Sequence, residues 1–233
     1  MKIHLRIKRF NPEKDRKPWW GEYTVPAEPT DRLLDALNYV KWYIDGTLSY
    51  RRSCAHGVCG SDAMQINGHN ALACKLLLRN LGKRITVEPL PAFPVLKDLI
   101  VDMERFFQIN KNVKAYFIAH SPAPEKERLQ SPEERERFDD TTKCILCGAC
   151  TSSCPSYWVN GQYVGPAAIV NAHRFIFDSR DEGTEERLKI MASVDGVWRC
   201  HTIFNCTEAC PRGIQVTRAI GQVKKALLLG PVG

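Results

Sequence analysis

The sequence predicts a small α+β domain followed by a helical domain. Apolar and polar residues alternate near the N-terminus, as they do in a half-buried strand, whereas apolar residues in the second half recur at helical spacing. Pro89, Pro91 and Pro94 lie between the two patterns and interrupt regular structure. We therefore predict an α+β domain at 1–97 and an all-α domain at 98–233.

The first domain is expected to pack strands around one helix. Residues 2–8 and 19–25 alternate, and the stretch between them is polar, so they are predicted to pair as a hairpin. Thr30 is a candidate N-cap for the helix, because leucines at helical spacing follow it. The pair Asn67-Gly68 favours the positive φ angles of a type I′ turn. Further strands are predicted on either side of this turn and beyond it, at 63–66, 71–73 and 85–88.

The second domain is expected to contain helices and hardly any strand. Ser131 and Pro132, followed by two glutamates, predict a helix start with a capping serine, a proline at the first helical position and an acid at the third. The charged run 125–140 is otherwise interpreted as a solvated helix face and connector. Apolar spacing indicates further helices at 99–109, 165–178, 185–194 and 217–229, the last of them stopped by Gly230-Pro231.

Composition and charge argue against several classes of protein. The 233 residues carry a formal net charge of +7, but the basic residues are spread out and form no stripe with aromatic residues, so nucleic-acid binding is not expected. No run approaches the roughly 18 apolar residues of a membrane span, and no targeting segment is visible. We therefore expect a soluble or peripheral chain.

The ten cysteines are more informative, and all of them fall into two ferredoxin-type patterns. An exported protein could pair ten cysteines as disulfides, but no export signal accompanies them, and in a reducing cytosol such spacings indicate metal sites. Thiolates at these spacings hold iron–sulfur clusters. The chain is therefore predicted to carry single electrons.

The first pattern reads Cys54-x4-Cys59-x2-Asp62-x11-Cys74. Plant-type [2Fe–2S] sites use Cys-x4-Cys-x2-Cys followed by a distant cysteine, so Asp62 stands where a third thiolate is expected. A carboxylate can also ligate iron, although it is a harder donor than a thiolate. The spacing leaves two alternatives for Asp62: it binds iron, or it is an acid that lies near the ligands while another group completes the site.

The second pattern occurs twice, and each copy ends in Cys-Pro as in bacterial two-cluster ferredoxins. Its positions are Cys144, Cys147, Cys150 and Cys154 in the first copy, and Cys200, Ile203, Cys206 and Cys210 in the second. In such ferredoxins the fourth cysteine of each copy serves the other cluster. This crossover gives one cluster four thiolates, which suits [4Fe–4S]: Cys144, Cys147, Cys150 and Cys210. The other cluster has three: Cys154, Cys200 and Cys206. An isoleucine cannot bind iron, so this cluster is predicted to be [3Fe–4S].

A zinc-stapled scaffold without redox chemistry is an alternative to the cluster hypothesis. Structural zinc sites usually appear as separate Cys-x2–4-Cys pairs, and analysis of iron, acid-labile sulfide and zinc distinguishes the two. The sequence shows no paired-carboxylate site, nucleophile elbow, phosphate loop or dinucleotide fingerprint, so no catalytic residue is predicted on this chain. Its redox chemistry must therefore end on partners.

Taken together, these motifs resemble the iron–sulfur subunit of succinate dehydrogenase (respiratory complex II) and its fumarate reductase relatives. The matching motifs are Arg51-Arg52-Ser53-Cys54, Gly57-Val58-Cys59-Gly60-Ser61-Asp62, Leu72-Ala73-Cys74, Cys144-Ile145-Leu146-Cys147-Gly148, Ser153-Cys154-Pro155-Ser156-Tyr157-Trp158, Gly165-Pro166-Ala167 and Cys200-His201-Thr202-Ile203. The resemblance implies a β-grasp plant-type ferredoxin domain followed by a helical bacterial-type ferredoxin domain. It also favours Asp62 as an iron ligand, and Ile203 fits the three-iron site of the family.

The resemblance implies a function in which the chain relays electrons from an FAD subunit that oxidises succinate, through [2Fe–2S], [4Fe–4S] and [3Fe–4S] clusters, to a membrane quinone. Membrane anchor subunits would complete the quinone pocket and hold the chain at the cytoplasmic face of a prokaryotic inner membrane. The alternative is a fumarate reductase subunit that carries electrons in the reverse direction. Asp62, where some fumarate reductases have cysteine, favours succinate oxidation.

By the same resemblance, quinone contacts lie beside the three-iron cluster, at Pro155, Ser156, His201 and Ile203. The family commonly has Trp-Trp where this chain has Trp158-Val159, so the contact of the second tryptophan is in question and Trp158 is the remaining candidate. Packing at a subunit interface is the other interpretation of Trp158. For His201 the alternatives are delivery of a proton or positive charge near the quinone, and a hydrogen bond to cluster sulfide.

Overall fold

The computed structural model describes residues 1–230. Pro231 of the predicted stop and the last residues of the predicted second domain lie outside the described residues. The chain divides into two compact units. The first comprises Met1–Met103 and Ile145–Ser153, and the second comprises Glu104–Cys144 and the chain from Cys154 onward.

The first unit extends beyond the predicted range 1–97, because residues 98–103 and Ile145–Ser153 belong to it. Hydrogen bonds explain the position of the second segment. Asn70 donates from Nδ2 to the carbonyl oxygen of Ala149 at 3.1 Å, and Ser152 donates from Oγ to the carbonyl oxygen of Pro91 at 2.6 Å. These contacts join residues distant in sequence, which the periodicity of the chain does not reveal.

The described strands of the first unit form a five-stranded sheet and a separate short hairpin. They are β1 (Lys2–Arg9), β2 (Trp19–Pro26), β3 (Ala63–Ile66), β4 (His69–Leu72), β5 (Arg84–Glu88), β6 (Val95–Lys97) and β7 (Ile100–Val101). The sheet order is β2-β1-β5-β3-β4, and β1 pairs antiparallel with β2 but parallel with β5. The predicted β1–β2 hairpin is confirmed. The predicted turn at Asn67-Gly68 is also confirmed, with positive φ at both residues.

The helices belong to both units. They are α1 (Leu33–Tyr39), α2 (Leu78–Leu81), α3 (Glu104–Asn112), α4 (Pro132–Asp139), α5 (Ala149–Ser152), α6 (Pro155–Val159), α7 (Gly165–Ile176), α8 (Thr184–Met191), α9 (Asn205–Glu208) and α10 (Val216–Leu229). Helices α1, α2 and α5 lie in the first unit. The mixed sheet with α1 is the predicted β-grasp arrangement, and its core includes Leu5, Ile7, Leu33 and Leu37, all buried.

The predicted N-cap at Thr30 is wrong. Helix α1 begins at Leu33, and the backbone N–H of Arg32 donates to Asp35 Oδ2 at 2.9 Å. The acid at the third helical position thus satisfies a backbone donor at the helix start, as in one half of a capping box. The helix continues through a π-helical turn at Val40–Ile44.

The second unit is helical over its described residues, as predicted. The predicted capping box of α4 is confirmed, because Ser131 Oγ accepts the Glu134 N–H at 3.2 Å while Glu134 Oε2 accepts the Ser131 N–H at 2.8 Å. The helix predicted at 99–109 begins later, at Glu104, because Ile100–Val101 form β7. Helix α7 is buried along most of its length and packs against α10. Within residues 1–230, no helix is both long and apolar enough to cross a membrane.

Candidate iron–sulfur cluster sites

Residues 54–62, here called the cluster loop, precede β3 in the first unit and have no helix or strand. Gly57 and Gly60 have φ angles of +73° and +72°, and Ala55 has one of +56°. A loop with several left-handed residues curls tightly and turns its backbone N–H groups inward, which makes a concave site for negative charge.

Backbone amides of the cluster loop converge on sulfur. The N–H groups of His56 and Cys59 donate to Cys54 Sγ at 3.3 and 3.4 Å. The N–H of Ser61 donates to Cys59 Sγ at 3.5 Å, and the Ser61 hydroxyl lies 3.1 Å from the same sulfur. The amides of His56 and Val58, followed by Cys59, lower the pKa of Cys54 to about 6. The loop therefore favours the thiolate, which is the form that binds metal.

Asp62 and Cys74 lie side by side at the open end of the β3–β4 hairpin. The register pairs Ala63 with Leu72, so the residues just outside that pair are neighbours. Asp62 Oδ2 accepts the Cys74 backbone N–H at 2.6 Å, and the Asp62 carbonyl oxygen accepts the Ala73 N–H at 3.1 Å. Both side chains are almost fully buried, with 2% and 1% of their surface exposed.

The second carboxylate oxygen of Asp62, Oδ1, has no hydrogen-bond partner among the described residues. A buried polar atom without a partner is unfavourable, so this oxygen fits a site that a further group completes. Burial, followed by the hydrogen bond and charge of Asp62, raises the pKa of the Cys74 thiol to about 12. A bound cationic centre would displace that proton and also satisfy Oδ1. The residues of the first pattern therefore fit the predicted [2Fe–2S] cluster.

The cluster loop contacts a residue of the second cysteine pattern within the first unit. A Cβ placed on Gly60 would lie 2.7 Å from Cys147 Cβ and 3.0 Å from its Cα. Glycine is thus required for the loop backbone to approach Cys147 so closely. Because Cys147 is a predicted ligand of the [4Fe–4S] cluster, this contact places residues of two predicted ligand sets next to each other.

The four predicted [4Fe–4S] ligands are divided between the units. Cys147 and Cys150 belong to the first unit, whereas Cys144 and Cys210 belong to the second. Within the second unit, Asn171 on α7 donates from Nδ2 to Cys144 Sγ at 3.4 Å. The assignment of the four residues to one cluster stays a prediction from their spacing.

The second unit contains a small, partly open cavity, here called the sulfur cavity, that is lined by the three cysteines predicted to bind [3Fe–4S]. Cys154 comes from one copy of the motif, and Cys200 and Cys206 come from the other. Ile203 also lines the cavity, at the position where the motif would have a fourth thiolate. Among residues 1–230, no three His, Cys, Asp or Glu side chains converge on a position for a single metal ion.

Local backbone geometry directs hydrogen-bond donors at two of these sulfurs. Cys154 is the N-cap of α6, where the backbone amides of Tyr157 and Ser156 and the Ser156 hydroxyl lower the pKa of its thiol. The Thr202 N–H donates to Cys200 Sγ at 3.4 Å. Burial still raises the pKa of the Cys154 thiol above its usual value. Donors of this kind stabilise a thiolate once a cluster is bound, so the three cysteines and the donors around them fit the predicted three-iron cluster.

Thr217 is a residue of the sulfur cavity that the sequence analysis missed. Its Oγ1 atom lies 3.7 Å from Cys206 Sγ and 2.8 Å from Thr207 Oγ1. Burial raises the pKa of the Cys206 thiol, and the Thr217 hydroxyl opposes that shift. Thr217 lies on the first turn of α10, outside both cysteine motifs, so no spacing in the sequence marks it.

Most of the predicted quinone contacts also line the sulfur cavity: Pro155, Ser156, His201 and Ile203. Trp158 is not part of the lining. It lies on α6 with 52% of its surface exposed, next to Val159 with 91% exposed. The exposed position is compatible with both interpretations of Trp158, so its role stays a prediction.

Two family models match the chain. A 2Fe-2S iron-sulfur cluster binding domain matches residues 4–108, and a 4Fe-4S dicluster domain matches residues 137–211. The matched ranges contain every cysteine of the first and second patterns, respectively. The [2Fe–2S] and [4Fe–4S] types of binding domain predicted from cysteine spacing are thereby confirmed.

Two curated relatives are similar to the chain over nearly its whole length. The succinate dehydrogenase iron-sulfur subunit of Coxiella burnetii is 48% identical over 225 residues, which cover 95% of this chain and 95% of that protein. The subunit of the same name from Paracoccus denitrificans is 42% identical over 226 residues, covering 96% and 87%. The chain belongs to the succinate dehydrogenase iron–sulfur subunit family. Membership in this family confirms the resemblance and establishes an electron-transfer role.

Solved structures support the fold of this succinate dehydrogenase family member. A chain of the Mycobacterium smegmatis Sdh1 complex in the apo form matches with a TM-score of 0.88 at 24% identity, covering 97% of this chain and 95% of that one. A hypothetical protein from Helicobacter pylori matches with a TM-score of 0.62 at 16% identity, covering 99% and 40%. At these identities the similarity concerns the fold alone, and the first match agrees with the predicted pair of ferredoxin-type domains.

Proposed function

We propose that this chain relays single electrons from a flavoprotein to a membrane quinone, as the iron–sulfur subunit of a succinate:quinone oxidoreductase. The observation that carries the proposal is the contact between Gly60 of the cluster loop and Cys147. It brings the loop that carries the first predicted ligand set against a predicted ligand of the second, and such proximity favours electron transfer between two clusters. The names of the curated relatives support the same role.

In this proposal the first cluster is held by Cys54, Cys59, Asp62 and Cys74. Bound iron–sulfur clusters supply one-electron oxidation and reduction. The amides of the cluster loop stabilise negative charge on the sulfurs of Cys54 and Cys59, because hydrogen bonds to sulfur offset added charge. The unpartnered Oδ1 of Asp62 is the iron donor, while Oδ2 keeps the hydrogen bond to the Cys74 N–H.

The two remaining clusters use the seven downstream cysteines. The [4Fe–4S] ligands are Cys144, Cys147, Cys150 and Cys210. The [3Fe–4S] ligands are Cys154, Cys200 and Cys206. The sulfur cavity supports the second assignment, because the aliphatic Ile203 stands in its lining in place of a fourth donor.

Electrons enter from an FAD-containing subunit and leave to the quinone beside the sulfur cavity. Ser156 and His201 contribute the polar side chains of this exit, and Pro155 and Ile203 contribute apolar ones. Trp158 and Val159, which follow on α6, extend the exposed apolar surface, together with Ile203 and Phe204. Exposed apolar side chains grouped in this way mark contact with protein or lipid. We assign this surface to membrane anchor subunits that hold the chain at the cytoplasmic face of the inner membrane.

The test is purification of the complex from its native membrane, followed by analysis of its subunits, metals and electron transfer. We expect a flavoprotein and anchor subunits, iron with acid-labile sulfide, and a paramagnetic three-iron signal in the oxidised state. Succinate should reduce the clusters and quinone should reoxidise them. Stoichiometric zinc without sulfide would overturn the proposal, and faster quinol-to-fumarate than succinate-to-quinone transfer would identify a fumarate reductase.

A further inference from the structure

The hydroxyl group of Thr217 faces Cys206 across the sulfur cavity. Thr217 Oγ1 lies 3.7 Å from Cys206 Sγ, which is within hydrogen-bond range for sulfur. It also lies 2.8 Å from Thr207 Oγ1, and that oxygen accepts the Thr217 backbone N–H at 2.9 Å. Two threonines and one cysteine therefore form a continuous chain of polar contacts.

The protonation state of Cys206 determines the direction of these hydrogen bonds. A thiolate bound to iron has no proton to donate and can only accept, so Thr217 donates its hydroxyl proton to Cys206. Thr217 Oγ1 then accepts the hydroxyl proton of Thr207, whose oxygen accepts the Thr217 N–H. Every proton in this chain of polar contacts has an acceptor, and each hydroxyl that accepts a hydrogen bond becomes a stronger donor.

We propose that the Thr217 hydroxyl raises the reduction potential of the three-iron cluster by donating a hydrogen bond to the Cys206 thiolate. This inference rests on the proposed function, in which Cys206 binds that cluster. Reduction adds one electron and breaks no bond, so it increases the negative charge on the coordinating sulfurs. A hydrogen bond to sulfur stabilises the reduced form more than the oxidised form. Because Cys206 is only 7% exposed, water competes little with this bond.

The other two ligands of the cavity are stabilised largely by backbone amides. The amides of Tyr157 and Ser156, together with the Ser156 hydroxyl, favour the thiolate of Cys154, and the amide of Thr202 donates to Cys200. A side-chain substitution leaves those amides in place. The Thr217 hydroxyl, in contrast, can be removed by a substitution that keeps the shape of the side chain, so its effect on the cluster can be measured separately.

The experiment compares Thr217→Val, which removes the hydroxyl and keeps the shape, with Thr217→Ser, which keeps the hydroxyl. Each variant complex is titrated with redox mediators while the oxidised-state three-iron signal is followed by electron paramagnetic resonance. We expect a lower midpoint potential in Thr217→Val and a nearly unchanged one in Thr217→Ser. Thr207→Val should lower the potential less, because it removes the donor to Thr217 but leaves the Thr217 hydroxyl in place.

The potential of the [2Fe–2S] cluster is the internal reference and should stay constant in all variants. An unchanged three-iron potential in Thr217→Val, or an equal shift in Thr217→Ser, would overturn the inference and leave the proposed function intact. If Thr217→Val loses the cluster, Thr207→Val provides the test, and an unchanged potential there overturns the inference. Absence of a three-iron signal from the wild-type complex would instead contradict the proposed function.

Discussion

The cluster loop and the sulfur cavity present the same donor, a cysteine thiolate, by two different means. In the cluster loop, neighbouring residues provide both the sulfurs of Cys54 and Cys59 and the amides that stabilise them. The sulfur cavity collects its cysteines from the N-cap of α6, from α9 and from the segment that precedes α9, and it adds a hydroxyl from α10. The first site therefore depends on local backbone conformation, and the second depends on the packing of helices.

Among the substitutions considered, Gly60→Ala is expected to have the largest effect on cluster binding. Alanine is strained at a φ of +72°, and its Cβ would overlap the Cβ of Cys147. We expect the cluster loop to be displaced and the [2Fe–2S] signal to be lost, with the three-iron signal retained. The two signals are measured by electron paramagnetic resonance, and the loss of iron is measured by metal analysis.

Gly68→Ala is the matched control for Gly60→Ala. Gly68 has a similarly positive φ of +84°, but nothing lies within 4 Å of the position of its Cβ. We expect this variant to lose about 1 kcal/mol of stability, the cost of a left-handed backbone for an L-residue, and to keep its clusters. Equal loss of the [2Fe–2S] signal in both variants would show that backbone strain, and not the contact with Cys147, is responsible.

Ile203→Cys should change the type of cluster without removing it. A cysteine here restores the fourth thiolate of the motif in the lining of the sulfur cavity. We expect the oxidised-state three-iron signal to disappear and a four-iron signal to appear on reduction. Ile203→Val, which adds no donor, should keep the three-iron signal. An unchanged three-iron signal in the cysteine variant would contradict the assignment of ligands in the cavity.

Acidification should affect the sulfur cavity before it affects the cluster loop, because His173 lies on α7 of the second unit. His173 is 1% exposed and shares a hydrogen bond with Gln222 on α10 at 2.7 Å. Burial lowers its pKa from the usual 6.5 to about 4; the Gln222 hydrogen bond and the charge of Asp140 oppose this shift, whereas Arg137 and Arg218 add to it. The unfolded chain therefore binds a proton at a higher pH than the folded one.

The contribution of neutral His173 to the free energy of unfolding is fully present above pH 6.5 and is lost as the pH falls towards 4. The total loss is about 3 kcal/mol. We expect the three-iron signal to be lost before the [2Fe–2S] signal when the complex is acidified from pH 7 to pH 4.5, because α7 and α10 support the sulfur cavity. Thermal unfolding across this range checks the prediction. His173→Gln, which does not titrate, should flatten the pH dependence, and an unchanged dependence would contradict it.

Asp62→Asn is expected to have the smallest effect, a shift in the properties of the [2Fe–2S] cluster. The amide oxygen of asparagine still accepts the Cys74 N–H, but the side chain loses the negative charge of a ligand. We expect the fold and the three-iron signal to be unchanged and the [2Fe–2S] spectrum and potential to shift. Asp62→Cys should retain a site with four ligands. A [2Fe–2S] spectrum unaffected by either substitution would show that Asp62 caps the hairpin without binding iron.

The same contrast between local and tertiary structure explains what could be predicted from the sequence. The turn at Asn67-Gly68 and the capping box at Ser131 were predictable, because each depends on residues that are close in the chain. The proximity of Asp62 and Cys74 also follows from that turn, since it sets the register of the hairpin.

Features that depend on packing were not predictable from local patterns. Thr217 reaches Cys206 because of the position of α10, and no motif records that position. The start of α1 was misplaced because the carboxylate of Asp35 satisfies the backbone of Arg32, so the serine-like cap expected at Thr30 is unnecessary. Ile145–Ser153 packs with the first unit through hydrogen bonds that are long-range in sequence, which no local pattern records, and the predicted domain ranges stay a prediction.

The place of Ile145–Ser153 has a consequence for biosynthesis. Asn70 is buried with its amide on the carbonyl of Ala149, and Gly60 lies against Cys147. A nascent chain that has emerged only as far as Met103 lacks these neighbours. The first unit can therefore form all of its native contacts only after translation has passed Ser153. A fragment that ends at the proline-rich segment would lack the residues that contact Asn70 and Gly60.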